Sequence, residues 1–222
     1  MKKIQRDQFK SSIPLALGNL RGSMSDYVCY TLNGETVVRS KPVNTTNAAS
    51  ETQVANREGF KLITSTYKIF KEIVAFSFPN RSKGWSPFNA FMTANFPTAI
   101  DKSGTAPVID YSKLTVSGGF LPQVTVKCAI ADETGITIIY KTDLFISLVF
   151  VVDQIVAVAK LKTGELIYAK QFRGKVELAS IFIPLQGIHP DEVECCYVFV
   201  LNSEGRNASK STYVEVHPKP SR

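Results

Sequence analysis

The sequence predicts a mixed α+β fold in two parts: a β-hairpin with two helices over residues 1–110, then an antiparallel β-sandwich over residues 111–222. Three observations carry that prediction. Asn33-Gly34 stands between two runs rich in strand-forming residues, the strongest short-range signal for a tight hairpin. Apolar residues recur at three- and four-residue spacing between Val54 and Val74, the period of a helix with one buried face. After Pro107 the texture changes to short β-branched and aromatic runs separated by turn residues, with no helical period between them.

Taken in order, Asp26–Lys41 (DYVCYTLNGETVVRSK) reads as a two-stranded ribbon. Such a ribbon is marginal alone in water, so it needs the protein's own body or a neighbouring subunit to lie on, which makes it a candidate contact arm. The stretch from Val43 to Ser50 is polar and turn-rich, and Asn47 or Ser50 can cap a helix that starts near Ser50. Val54, Phe60, Ile63, Tyr67, Phe70 and Val74 form its apolar stripe, with Arg57, Lys61, Lys68 and Lys71 mostly off it. Pro79, Asn80 and Gly84 interrupt the pattern, and Ser86-Pro87 then supplies an N-cap followed by proline at the first helical position. A short helix runs through Asn95, with Phe88, Phe91, Met92 and Phe96 expected against the long helix.

From the boundary near Pro107 to Lys113 onward, TVSGG, QVTVKCAI, ITIIYK, LFISLVFVV, QIVAVAKL, ELIYAK, VELASIFI, VECCYVFVLN and STYVEV read as strands. Ser117-Gly118-Gly119, Asp132–Gly135, Lys162–Glu165 and Asn202–Gly205 read as the turns between them. Val176, Leu178, Ser180 and Phe182 alternate with Glu177, Ala179 and Ile181, as in a strand with a core face. The expected class is an immunoglobulin- or fibronectin-III-like sandwich.

Composition narrows the function classes. The chain has 222 residues, 44% of them hydrophobic, enough for a packed core. Charged Arg6, Asp7 and Lys10 break up the N-terminal stretch where a signal peptide would be apolar. Leu144–Val152, the longest apolar run, is about half a membrane helix and is bracketed by Asp143 and Asp153. No membrane partner is expected. Cys29, Cys128, Cys195 and Cys196 show no CxxC spacing, and adjacent Cys195 and Cys196 in a strand point to opposite faces, so no metal is expected. Reduced thiols of an intracellular product are the simpler reading. The net charge of +7 favours acidic partners, though 19 acidic residues are interspersed among 26 basic ones.

Catalytic templates lack members. His189 sits in a turn beside Pro190 and His217 near the C-terminus, neither in a recognisable motif. There is no phosphate-cradling glycine loop, and Asp191, Glu192 and Glu194 read as a solvated acidic turn. No catalytic residue, cofactor or small-molecule substrate is therefore expected. The candidate interaction residues are Asn33 and Gly34 at the ribbon tip, Tyr27 and Tyr30 on its strands, and the cations Arg39, Lys41, Arg57 and Lys61. These cations could track a phosphate backbone, or they could guard an edge strand against aggregation.

Several motifs then converge on one likeness: Arg39-Ser40-Lys41-Pro42 closing the ribbon, Gln53, Arg57 and Phe60 opening the helix, Ser86 to Ala90, Ile109 to Lys113, and the strand, glycine turn and Ser-x-Tyr-Val of Val198 to Val214. Together they resemble an uncharacterised family of proteins, about 200 residues long, from Bacteroidetes bacteria and their phages. Ala48 replaces that family's proline before the helix, and the N-terminal stretch is poorer in glycine, so the loop into the helix departs from its pattern. The resemblance implies an architecture and a bacterial or phage setting but no substrate.

The resulting expectation is a non-enzymatic structural or assembly protein, a phage virion component of capsid, neck or tail. It would contact neighbouring subunits, its own kind or others, through ribbon and sandwich. The alternative is a cytosolic nucleic-acid-binding accessory protein using the basic N-terminal region.

Overall fold

A strand covered on one face alternates apolar and polar side chains, whereas a strand covered on both faces loses the alternation. QIVAVAKL and VECCYVFVL are of the second kind, and they are the inner strands of their four-stranded sheet. The structure, a computed structural model, describes residues 22–32, 35–41, 50–104, 106–143 and 149–218. Asn33, Gly34, Asn47 and Ala48, and the first five residues of LFISLVFVV, lie outside the described residues. Among the described residues are thirteen strands and two α-helices, so the fold is α+β. They belong to two compact units, residues 1–49 and 50–222.

In the first unit β1 (Gly22–Met24), β2 (Tyr27–Leu32) and β3 (Glu35–Ser40) form an antiparallel sheet in that order. The ribbon of β2 and β3 is the expected one, with Leu32 opposite Glu35 and Tyr27 opposite Ser40. It gains a third strand that no sequence signal announced. Ser25, at a φ of 42°, makes the tight turn between β1 and β2. The Lys41 amide donates to the Asp26 carbonyl at 2.6 Å and closes the open end.

The second unit begins with α1 (Glu51–Ser77), where the Ser50 hydroxyl accepts from the Gln53 amide at 3.3 Å as the expected N-cap. Its buried face runs through Gly59, Ile63, Thr66, Phe70, Ile73, Val74 and Ser77. Val54 and Phe60, expected on that face, are exposed. The face is centred on Gly59, where a Cβ would stand 3.3 Å from Ile100, and Phe60 is turned one position further round the helix. α2 (Pro87–Asn95) is capped by Ser86, whose hydroxyl accepts from the Asn89 amide. As expected it lies on α1: Tyr67 stacks edge-on against Phe88 at 4.9 Å and meets Phe91 at a tilt at 5.7 Å.

After a two-stranded piece, β4 (Ile100–Asp101) with β5 (Val108–Ile109), come β6 (Thr125–Ala131), β7 (Gly135–Lys141), β8 (Gln154–Leu161), β9 (Leu166–Phe172), β10 (Leu178–Pro184), β11 (Val193–Leu201), β12 (Thr212–Val214) and β13 (His217–Pro218). They form two four-stranded sheets, in the orders β10-β7-β6-β13 and β12-β11-β8-β9. All pairings are antiparallel except β13 on β6. Ile136, Ile138, Ile155, Ala157, Ile181, Ile183, Cys196 and Val198 fill a core shared by the two sheets. The other face of β8 and β11, carrying Val156, Val158, Tyr197 and Phe199, joins Phe70, Ile73, Val74 and Phe91 in a second core against the helices. The unit is thus three-layered, helices on sheet on sheet, and the change of texture near residue 110 falls inside it. Cys195 and Cys196 go to opposite faces as expected, one in each core.

Two strand expectations need correction, and the alternation expected in β10 is found. TVSGG is not a strand but a buried connection: Asn95 donates to the Thr115 carbonyl (2.8 Å) and accepts the Thr115 amide (2.6 Å), and the Ser211 hydroxyl accepts the Val116 amide (2.9 Å). Val149–Val152 is turn-like, because the Asp153 carboxylate takes the Phe150 amide at 3.1 Å and curls the chain. In β10 the core face is Ala179, Ile181 and Ile183, and Leu178 and Phe182 face outward.

Candidate functional site

The residues singled out in the sequence divide between the two units. On the ribbon, cross-strand partners share a face, so the pairs Val28–Arg39 and Tyr30–Val37 put Arg39 diagonally beside Tyr30. The Arg39 guanidinium lies 5.9 Å from the centre of the Tyr30 ring, a cation–π contact worth about 0.5–1 kcal/mol at an exposed site. Tyr27 belongs to the opposite face, with Cys29, and is 55% exposed; Leu32 at the far end of β2 is equally exposed. Lys41 follows β3, its amide in the closing hydrogen bond to Asp26. The tip residues Asn33 and Gly34 lie outside the described residues.

Arg57 and Lys61 stand one turn apart on α1, exposed to solvent. They border a groove with Asn56, Phe60 and Phe96. Lys102, which the sequence reading passed over, completes this group: its ammonium donates to Asn56 Oδ1 at 2.7 Å and lies 5.3 Å from the centre of the Phe96 ring. Phe60 and Phe96 meet edge-on at 6.3 Å. Lys102 lies 46 residues beyond Asn56 in sequence and nothing local marks it, so only the fold could bring it in.

A titratable cluster of the second unit surrounds Lys160. A bulge between Val193 and Cys195 turns Glu194 toward Lys160, whose ammonium is buried, ion-paired to Glu194, and 4.8 Å from the Tyr111 ring centre. Burial pulls the Lys160 pKa down, but the hydrogen bond and charge of its partners outweigh it and hold it above the usual lysine value. Cys195, behind it, is pushed up to about 11, chiefly by burial, and so keeps its proton at neutral pH. Tyr197, raised by burial, donates to the Tyr111 carbonyl at 2.7 Å.

His189 caps a single 3-10 turn, its Nδ1 accepting the Asp191 amide at 3.3 Å, with both side chains exposed. Among the described residues, no three His, Cys, Asp or Glu side chains gather as a metal site would require. No helix there is long and apolar enough to cross a membrane.

The motifs behind the likeness prove to be joints. Asp110 accepts from the Ser112 amide (3.0 Å) and hydroxyl (2.5 Å) and pairs with Lys113 at 2.8 Å; Lys113 first and Ser112 next hold its carboxyl down to about 2. Tyr213 of the last motif stacks edge-on against Tyr197 at 5.9 Å. Fold and surface together define a mixed α+β protein with three layers in its larger unit and with cation–aromatic groups on the ribbon, beside α1 and on the β8–β9 side of the sheet. The sequence profile of a family described as "Family of unknown function (DUF6266)" matches residues 19–214, and the chain belongs to that family. No curated protein and no solved structure matches it.

Proposed function

We propose that this chain is a non-enzymatic structural or assembly protein, a virion component of capsid, neck or tail from a phage of Bacteroidetes bacteria. In this reading the two stacked sheets are an immunoglobulin-like sandwich, and the ribbon is the arm that reaches a neighbouring subunit. The observation that carries it is the exposure of Tyr27, Tyr30 and Leu32 on strands of six residues. Large apolar side chains left in water on a small sheet mark a surface made for another protein. Outward-facing Leu178 and Phe182 on β10 give the sandwich a second such surface.

Sedimentation of the full chain over a range of concentrations tests the reading. Assembly, with itself or with purified particle proteins, is expected to disappear in a Tyr27→Ser, Leu32→Ser double variant whose melting temperature is unchanged. A chain that stays monomeric at high concentration and ignores particle proteins would overturn it.

A further inference from the structure

We propose that the groove on α1 bordered by Arg57, Phe60, Lys61 and Phe96 binds single-stranded nucleic acid, with Lys102 as its third cation. The inference is independent of the assembly reading, since it uses none of the ribbon or sandwich surfaces.

The groove has a volume of about 490 Å³, and no carboxylate lines it. Phe60, half exposed, offers a ring surface to solvent, and Phe96 backs it edge-on. An aromatic left out of the core beside cations is the combination that single strands use: bases stack on the ring whatever their identity, and phosphates meet the ammonium and guanidinium groups. Three cations surround the two rings. Lys102 is held in place by Asn56 and by the Phe96 ring. The carboxylates adjacent in sequence do not neutralise them. Asp101 turns away to accept the Ser103 amide at 2.9 Å, and no ion pair joins Arg57, Lys61 or Lys102 to an acid among the described residues. An acidic peptide would satisfy the cations but would leave the rings without a planar partner. A duplex would keep its bases stacked inside and away from Phe60.

Fluorescence anisotropy with a labelled oligothymidine of about 16 nucleotides tests the proposal on the full chain. Binding is expected at low salt, and the matched duplex should bind more weakly. Phe60→Ala should weaken binding about tenfold, and Phe60→Leu, which keeps the apolar body but removes the ring, should do nearly the same. Lys61→Gln and Lys102→Gln should each lower the slope of log affinity against log salt by about 0.7. Lys175→Gln, an exposed lysine in the turn between β9 and β10, should leave both affinity and slope near wild type. Four results would overturn the proposal. They are no binding at low salt, a Phe60→Ala affinity equal to wild type, a Lys175→Gln loss equal to that of Lys61→Gln, and polyglutamate competing as well as the oligonucleotide.

Discussion

Cys195 and Cys196 differ by one position and by a whole environment. Each is buried, one against the helices and one between the sheets, and burial raises both thiol pKa values. A group whose folded pKa lies above its unfolded value contributes stability that is intact below the unfolded pKa and lost as pH rises through the folded one. For Cys195 that window runs from the ordinary 9.0 to about 11, a loss of about 2 to 3 kcal/mol across it. Lys160 and Tyr197, both raised as well, work in the same direction. Chemical denaturation at a series of pH values should therefore show stability falling from about pH 9 upward. A Cys195→Ala variant should start less stable and show a shallower fall. An alkaline profile as steep in the variant as in the wild type would remove Cys195 as its source.

At the scale of elements, the sequence was most informative where local chemistry decides. Ser50, Ser86 and Pro87 announced both helix starts because capping needs only the next three residues. The β2–β3 ribbon was announced by its strand-forming runs. Residues whose role depends on distant partners were not legible. Phe60 has the right spacing for a core residue, yet the close approach of Ile100 to Gly59 turns it outward. Leu178 and Phe182 are apolar and alternate correctly, but which face of β10 meets the core was set by pairing with β7. Of the candidate interaction residues, Arg57 and Lys61 were found by their charge, whereas Lys102 depends on tertiary folding. TVSGG has strand composition, but Asn95, Ser77 and Ser211 hold it as a connection. Within it Gly119 approaches so closely that a Cβ would sit 2.2 Å from the Ala208 carbonyl oxygen and 2.7 Å from Asn80 Oδ1. Gly119→Ala should cost about 2 kcal/mol or more, because backbone cannot yield as a flexible side chain can. Urea denaturation measures it, and a cost no larger than that of an ordinary surface change would mean the connection gives way.

For the whole molecule, the buried residues of both cores of the larger unit fall, among the described residues, between Ile63 and Val214. A fragment spanning 50–218 is accordingly expected to fold on its own, with one cooperative thermal transition by circular dichroism and sharp near-ultraviolet bands from its buried tyrosines. A fragment lacking a cooperative transition would show that the first unit supplies something the two cores do not. The order of fastening within that fragment has a further consequence. The end of α1 is tied through Ser77 to Val116 and Ser117, and these in turn to Ser209 and Ser211 near the C-terminal end of the fold. During synthesis α1 therefore leaves the ribosome, with α2 soon after to cover part of its apolar face, well over a hundred residues before the serines that secure its end have been made. Until β11 follows, Phe70 lacks its partner Tyr197, so this part of the core closes only when translation has nearly reached the end of the fold.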